Sequence, residues 1–331
     1  MPPGLDVREV DTAGLPIVCD HLDMTVWRTG DGRAIRCGER TQSIQDALAV
    51  LEAYDAAFRA TGVTPRPFEV VRVGDRFGVV VEYVQGMTLG MQMTLGGYTP
   101  SEAGEALGEV ALRVHRAHAR CGLDMHAAYE TMADRVSPLL GRPQARRLAE
   151  LVRRIPASDT LLHGDLHPGN VVVYNGDLRL IDMDTVGFGH PAFDLACMES
   201  FVFRGVAEKV GQFGMTMEAG LEAAGVLWKA VLKRYFRGRD DGEIASIAVG
   251  LEILAGLTRC LGGPAYLSAD NESTRAWMRE NIGAFKSMLD EALPRVERLD
   301  FDVEEEQGAS SFEAEEPQRG CCEWTVREST T

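Results

Sequence analysis

The sequence predicts an α+β protein of two lobes, a small β-rich amino-terminal lobe and a larger, mainly helical carboxy-terminal one. Two patterns carry this reading. Short apolar runs separated by Asp-Gly or Gly-Asp turns occupy the first 85 residues, and from Pro100 onward the apolar spacing takes the helical period, interrupted by a single β patch. At 331 residues the chain also exceeds the length of roughly 250–300 residues at which single cores usually stop growing.

In chain order, MTVWR (24–28) and RAIRC (33–37) read as a hairpin, because Asp31-Gly32 supplies positive-φ turn positions between two apolar runs. Residues 43–60 follow with Ile44, Ala47, Leu48, Leu51, Tyr54 and Phe58 at helical spacing. EVVRV and FGVVVEYV flank Gly74-Asp75 as a second hairpin, so the order is strand, strand, helix, strand, strand. The stretch Glu82-Tyr83-Val84-Gln85-Gly86 then joins the lobes. A cleft at such a junction suits a nucleotide, and Glu82 and Val84 are its candidate contacts.

Helical patterns continue from Ser101, with Leu107, Val110, Val114 and His118 on one stripe, and recur near 142–154, 192–204, 220–235, 244–261 and 274–293. The β patch is 171–182, where VVVY and LRLID flank Asn175-Gly176-Asp177. There is no internal repeat. The expected division is 1–85, 86–299 and a tail from 300 to 331.

Bulk properties narrow the function. Hydrophobic content of 45% and charged content of 25% are ordinary for a globular protein, and no apolar run approaches the 18 or so residues of a membrane span. The amino terminus lacks the basic start and apolar core of an export signal, which predicts a cytoplasmic protein with no membrane partner. The seven cysteines are scattered without a CxxC pair, so reduced thiols are expected; adjacent Cys321 and Cys322 are the candidates for redox or soft-metal chemistry. Net charge is −16, and the tail, with ten acidic residues and two arginines, supplies −8 of it. Its composition predicts disorder. The remaining −8 argues against nucleic acid as a partner and suits a cationic small molecule.

Phosphoryl transfer needs a carboxylate to orient the attacking hydroxyl and oxygen ligands to hold Mg²⁺ on the phosphates. The run HGDLHPGN (163–170) sets Asp165 and Asn170 in a loop entering a strand, and the next strand ends at Ile181-Asp182. An antiparallel hairpin between them brings Asn170 beside Asp182, where an amide oxygen and a carboxylate can share a metal. His163 and His167 stand at i, i+4 like a helical zinc pair, but Pro168-Gly169 opposes a helix there.

HGDLHPGN, then strand, turn, strand, then IDMDTVGFGHPAFDLA resembles the catalytic and metal-binding segments of the aminoglycoside phosphotransferase and choline kinase-like family, most closely a bacterial branch of it. The motif covers 163–196, and elsewhere the agreement is in element order. The resemblance implies a protein-kinase-like fold that uses ATP or GTP with Mg²⁺. It implies Asp165 as catalytic base, Asn170 and Asp182 as metal ligands, and Asp184 assisting. His163 then braces the loop, His167 packs or touches substrate, and Asp194 is a buried acid that hydrogen-bonds the loop.

Two features depart from the family pattern. Such kinases place a phosphate-contacting lysine on the third small-lobe strand, whereas the four lysines here are Lys209, Lys229, Lys233 and Lys286. Arg36 stands at the corresponding place, with Glu52 as its expected helical partner and Asp46 next in line. The expected phosphate loop, 19–25, has no glycine, and its Asp20 and Asp23 would repel a nucleotide. The leading expectation is a kinase for a hydroxyl of a cationic or sugar-like small molecule. Its acceptor would lie between the Asp165 loop and the helices after residue 200, with Glu199, Glu218, Glu222, Asp240, Asp241 and Glu243 as sources of negative charge. The alternatives are a catalytically weak, pseudokinase-like binding or regulatory protein and a Mg²⁺-dependent nucleotide hydrolase.

Overall fold

The computed structural model describes residues 7–21, 24–213, 215–260, 272–296 and 299; the acidic tail, with Cys321 and Cys322, lies outside them. Strands β1 (Ile17–His21), β2 (Met24–Arg28), β3 (Arg33–Gly38), β4 (Pro67–Val73) and β5 (Arg76–Glu82) form one antiparallel sheet in the order β1-β2-β3-β5-β4. Both expected hairpins form. In the first, only Gly32 takes a positive φ, 79°, and Asp31 does not, so the connection is a four-residue turn. Period-2 alternation along β3 sends Ile35 and Cys37 to the outer face with Val71 and Val80, and Ala34 to the face covered by α1. Arg36 shares that inner face.

Helix α1 (Ile44–Thr61) lies against β4 and β5. Ser43 accepts from the Asp46 N–H while the Asp46 carboxylate accepts from Ser43, a reciprocal cap, and Gly62 closes the helix at φ 65°. Asp46 is thereby committed to the helix start.

The second lobe begins with β6 (Met87–Thr88), α2 (Leu89–Thr94), α3 (Pro100–His115), β7 (Leu123–Asp124), α4 (Met125–Val136) and α5 (Arg142–Arg154). It continues with β8 (Leu161–Leu162), β9 (Val171–Tyr174), β10 (Asp177–Leu180), β11 (Gly187–Phe188) and the helices α6 (Ala192–Phe213), α7 (Met217–Tyr235), α8 (Asp241–Cys260) and α9 (Glu272–Ala292). Two details differ from the sequence pattern. Helix α6 runs well past Arg204, and His118 lies beyond the end of α3, in a bridge to Thr160. Among the described residues no helix is long and apolar enough to cross a membrane.

Helices α3 and α7 pack closely because Gly104 and Gly108, one turn apart, leave room for the other backbone. A Cβ on Gly104 would strike the Leu227 carbonyl oxygen. The β9–β10 hairpin turns on Asn175 (φ 52°) and Gly176 (φ 84°), the pair of positive φ values a two-residue type I′ loop requires. Its register pairs Val171 with Leu180, so the open end holds Asn170 against Ile181, whose N–H donates to the Asn170 carbonyl at 3.0 Å.

Candidate active site

The loop 163–170 is held from beneath by one carboxylate. Asp194, in the first turn of α6, has no exposed surface, and its oxygens accept from the backbone N–H groups of His163 (2.8 Å) and Gly164 (2.7 Å). His115 Nε2 meets the same carboxylate at 3.1 Å, and its Nδ1 lies 2.8 Å from the Tyr235 hydroxyl. Burial, and next the nearby Asp194 charge, push the Tyr235 phenol well up, so it stays protonated and donates to Nδ1. The buried Asp194 side chain is satisfied because every partner is a donor.

His163 is fully buried and braces the loop. Its Nε2 lies 2.9 Å from the Ile181 carbonyl, which can only accept, so Nε2 carries the proton and Nδ1 accepts from the Asp165 N–H at 3.3 Å. With both nitrogens engaged, His163 has no lone pair for a metal.

Asp165 emerges from this support with 44% of its side chain exposed. Asn170 Nδ2 donates to the Asp165 carbonyl (2.9 Å) and carboxylate (3.3 Å), and Cys197 Sγ stands 3.5 Å from Oδ1. Burial pushes the Asp165 carboxyl up, but the hydrogen bond from His167, the neighbouring His163 ring and the Cys197 thiol together hold it below its ordinary value, so it is an ionised acceptor. His167 stacks on Phe201, with ring centroids 3.6 Å apart and planes within 6°. Its Nδ1 accepts from the Gly169 N–H, which leaves the Nε2 proton facing Asp165 Oδ2 at 3.5 Å.

Beyond the hairpin, Asp182 adopts the left-handed region (φ 60°, ψ 61°), at a cost of about 1–2 kcal/mol for a residue with a Cβ. That turn aims its carboxylate at the small lobe, where Arg36 Nη2 meets Asp182 Oδ1 at 2.6 Å and Asp184 Oδ1 at 3.0 Å. Tyr54 Oη donates to Asp184 Oδ1 (3.4 Å) and accepts from the Met183 N–H (3.2 Å), and Arg40 donates to the Asp184 carbonyl. The expected pairing of Arg36 with Glu52 does not form. On α1, Glu52 is exposed and Tyr54 faces the guanidinium, because the buried stripe of that helix is Ala47, Leu51, Tyr54 and Ala57. Asp46 is taken by its cap.

The junction between lobes differs in a similar way. The Glu82 carboxylate forms a forked pair with Arg179 of β10 (2.7 and 3.2 Å) and accepts from the Arg66 N–H, while Arg179 also donates to the carbonyls of Val63 and Thr64. The side chain of Glu82 therefore pins one lobe to the other, and Val84 is half-buried two residues on. Arg179, Tyr54, Arg40 and Cys197 were not evident from sequence. Tyr54 alone left a trace there, as a phenol on an apolar stripe that must find a hydrogen-bond partner.

Of the acids expected around an acceptor, Glu199 is buried against Arg259 of α8 at 2.8 Å. Glu218 and Glu222 are exposed, Asp240 and Glu243 cap the start of α8, and Asp241 meets Lys233. The cleft beside the loop is instead a cavity of about 480 Å³ between α2, α6 and α7.

Residues 23–214, more than half of the chain, match the model of the phosphotransferase enzyme family. The chain belongs to that family. Solved structures agree in fold. A choline/ethanolamine kinase family protein from Mesorhizobium loti, 18% identical, superposes with a TM-score of 0.54 over 84% of this chain and 92% of that one. Amicoumacin kinase hAmiN, in complex with AMP-PNP, Ca²⁺ and Ami, is 16% identical with a TM-score of 0.60 over 85% and 90%. No curated protein matches the sequence. The two-lobed arrangement is thus the protein-kinase-like fold of this phosphotransferase family.

A phosphotransferase of this fold would hold a divalent ion, and the donors present fit one. Asn170 turns its amide nitrogen to Asp165, so its oxygen is the atom that would face a metal, and Asp182 and Asp184 would add carboxylates. Among the described residues no group of three or more His, Cys, Asp or Glu is close enough to cage a metal. One amide and two carboxylates suit Mg²⁺, which is normally completed by substrate phosphates and water.

Proposed function

We propose that the protein transfers the γ-phosphoryl group of ATP or GTP to a hydroxyl of a small molecule, with the nucleotide in the cleft between the lobes. The observation that carries this reading is the ionised, partly exposed Asp165 beside Asn170, on a loop whose backbone is tied to buried Asp194. Asp165 accepts the proton of the acceptor hydroxyl as its oxygen bonds to the γ-phosphorus. The bond from that phosphorus to the β–γ bridging oxygen breaks, and the nucleoside diphosphate leaves with the electron pair. Asn170, Asp182 and Asp184 would hold Mg²⁺, which supplies charge neutralisation on the phosphates. Arg36 would be the small-lobe cation that contacts phosphate, and Val84 belongs to the segment along which the base would lie.

A second reading rests on Arg36. Its guanidinium already spans Asp182 and Asp184, and a protein that kept this contact would withhold both acids from a metal and serve as a scaffold that binds no Mg²⁺-nucleotide. Calorimetric titration of ATP and GTP, with and without Mg²⁺, separates the two. Mg²⁺-dependent binding of either nucleotide supports transfer; binding of neither removes it and leaves the scaffold reading.

A further inference from the structure

We infer that the acceptor is an uncharged, largely apolar alcohol, bound in the cavity behind the catalytic loop; this rests on the phosphotransferase reading above. The cavity of about 480 Å³ falls within the range of small-molecule sites, roughly 300–1,000 Å³. Its walls include Met93, Tyr98, Phe201, Val206, Ala223 and Leu227, and no charged side chain lines it among the described residues. Pro168 of the catalytic loop forms part of the same wall, and its carbonyl accepts from the Gly90 N–H at 2.9 Å, which locks α2 to the loop. Phe201 of the cavity wall stacks on His167 at 3.6 Å, and His167 stands 3.5 Å from Asp165, so the cavity lies one pair of rings away from the base.

The chemistry of the walls selects the occupant. A polycationic or quaternary ammonium acceptor needs carboxylates or aromatic cages to replace its water. Of the described acids that could have answered such a charge, Glu199 turns to Arg259, Asp241 to Lys233, and Glu218 and Glu222 to solvent. The apolar character instead continues outward. Five of the ten large hydrophobic residues exposed among the described ones, Met91, Leu95, Met215, Met217 and Leu221, stand on or beside α2 and the start of α7, the two segments that frame the opening. Methionines there give adaptable walls. Of the hydroxyls on the wall, Thr94 donates to the Gly90 carbonyl, and Tyr98 carries the other, suited to orient a single polar group of the acceptor.

The test uses the full chain and the neutral fluorophore N-phenyl-1-naphthylamine. Its fluorescence should titrate on the wild type, 2-(2-naphthyl)ethanol should displace it and raise Mg²⁺-ATP-dependent ADP formation, and choline and kanamycin should do neither. Ala223→Trp fills the cavity and should weaken fluorophore binding by about tenfold or more with nucleotide binding retained. Met93→Glu, which places a charge in the wall, should have the same effect should the tryptophan variant not fold. Displacement or turnover with choline or kanamycin, or fluorophore binding indifferent to both substitutions, would overturn the inference. Loss of ATP binding in calorimetry would instead sink the phosphotransferase reading, so the two failures are distinct.

Discussion

Arg36 on β3 and Asp182 at the end of the β9–β10 hairpin lie 146 positions apart in the chain and meet at 2.6 Å across the two lobes. Asp184 joins them at 3.0 Å, so one guanidinium offsets two carboxylates that are each about a third exposed. Burial by itself would lower the Arg36 pKa, but Tyr54, Asp184 and Asp182 raise it far beyond the titratable range. The side chain is a permanent cation where phosphates and a metal would compete for the same acids.

That competition is testable. Arg36→Ala should tighten Mg²⁺ binding in the absence of nucleotide, because two carboxylates lose their counter-ion. It should also lower stability by about 1–2 kcal/mol after allowance for solvent screening. Arg36→Lys keeps the charge but not the planar fork, and is expected to fall between wild type and alanine in both measurements. Metal titration and urea unfolding read the two effects; unchanged Mg²⁺ affinity in the alanine variant would show that Arg36 does not compete.

Asp165→Asn should reduce turnover by about 10²–10⁴-fold, the usual contribution of a positioned base, while leaving Mg²⁺-nucleotide affinity near wild type. Steady-state kinetics and calorimetry on the same preparation check this. Full activity in the Asp165→Asn variant removes the mechanism.

Gly164 sits at φ 81°, and a Cβ there would fall on the Thr185 carbonyl oxygen. Gly164→Ala should cost more than about 2 kcal/mol, the left-handed penalty plus a backbone clash. Gly176→Ala, at φ 84° with nothing within 4 Å, carries the φ penalty alone and serves as control. Equal losses in urea unfolding would mean that the Gly164–Thr185 contact relaxes freely.

Glu199 gives a pH signature. Burial pushes its carboxyl up to about 7 from 4.5, against the opposing Arg259 charge. Between those values the unfolded chain has released the proton and the folded protein retains it, so stability falls as pH rises from about 4.5 to 7, by on the order of 3 kcal/mol. Glu199→Gln should remove that slope. Unfolding free energies across this window test it, and a slope that survives the substitution assigns the effect to another group.

Local chemistry made much of this protein legible from its residues. Asn175-Gly176 between two short apolar-patterned strands permits essentially one hairpin, and Ser43 with Asp46 writes its own helix start. HGDLHPGN and the following Ile-Asp pair carry their backbone constraints with them, which is why Asp165, Asn170 and Asp182 could be named as candidates before any fold was known. By contrast, α2 and α4 went unrecognised because one is six residues long and the other buries only Met125, Tyr129, Ala133 and Val136.

What the chain alone determined was therefore the order of elements, the hairpin that brings Asn170 to Ile181 and Asp182, and the residue types available for phosphoryl chemistry. Only the tertiary structure decided the partners. Glu52 and Tyr54 differ by two positions on one helix, and whether a residue there meets Arg36 depends on a rotation of α1 against the sheet that spacing leaves open. Glu82 pairs with Arg179 of the other lobe, Glu199 turns inward to Arg259, and the cavity beside the catalytic loop is lined mostly by apolar residues, none of the acids named from the sequence among them. Long charged side chains select partners by the reach and burial that packing sets, and no periodicity in the sequence encodes that choice.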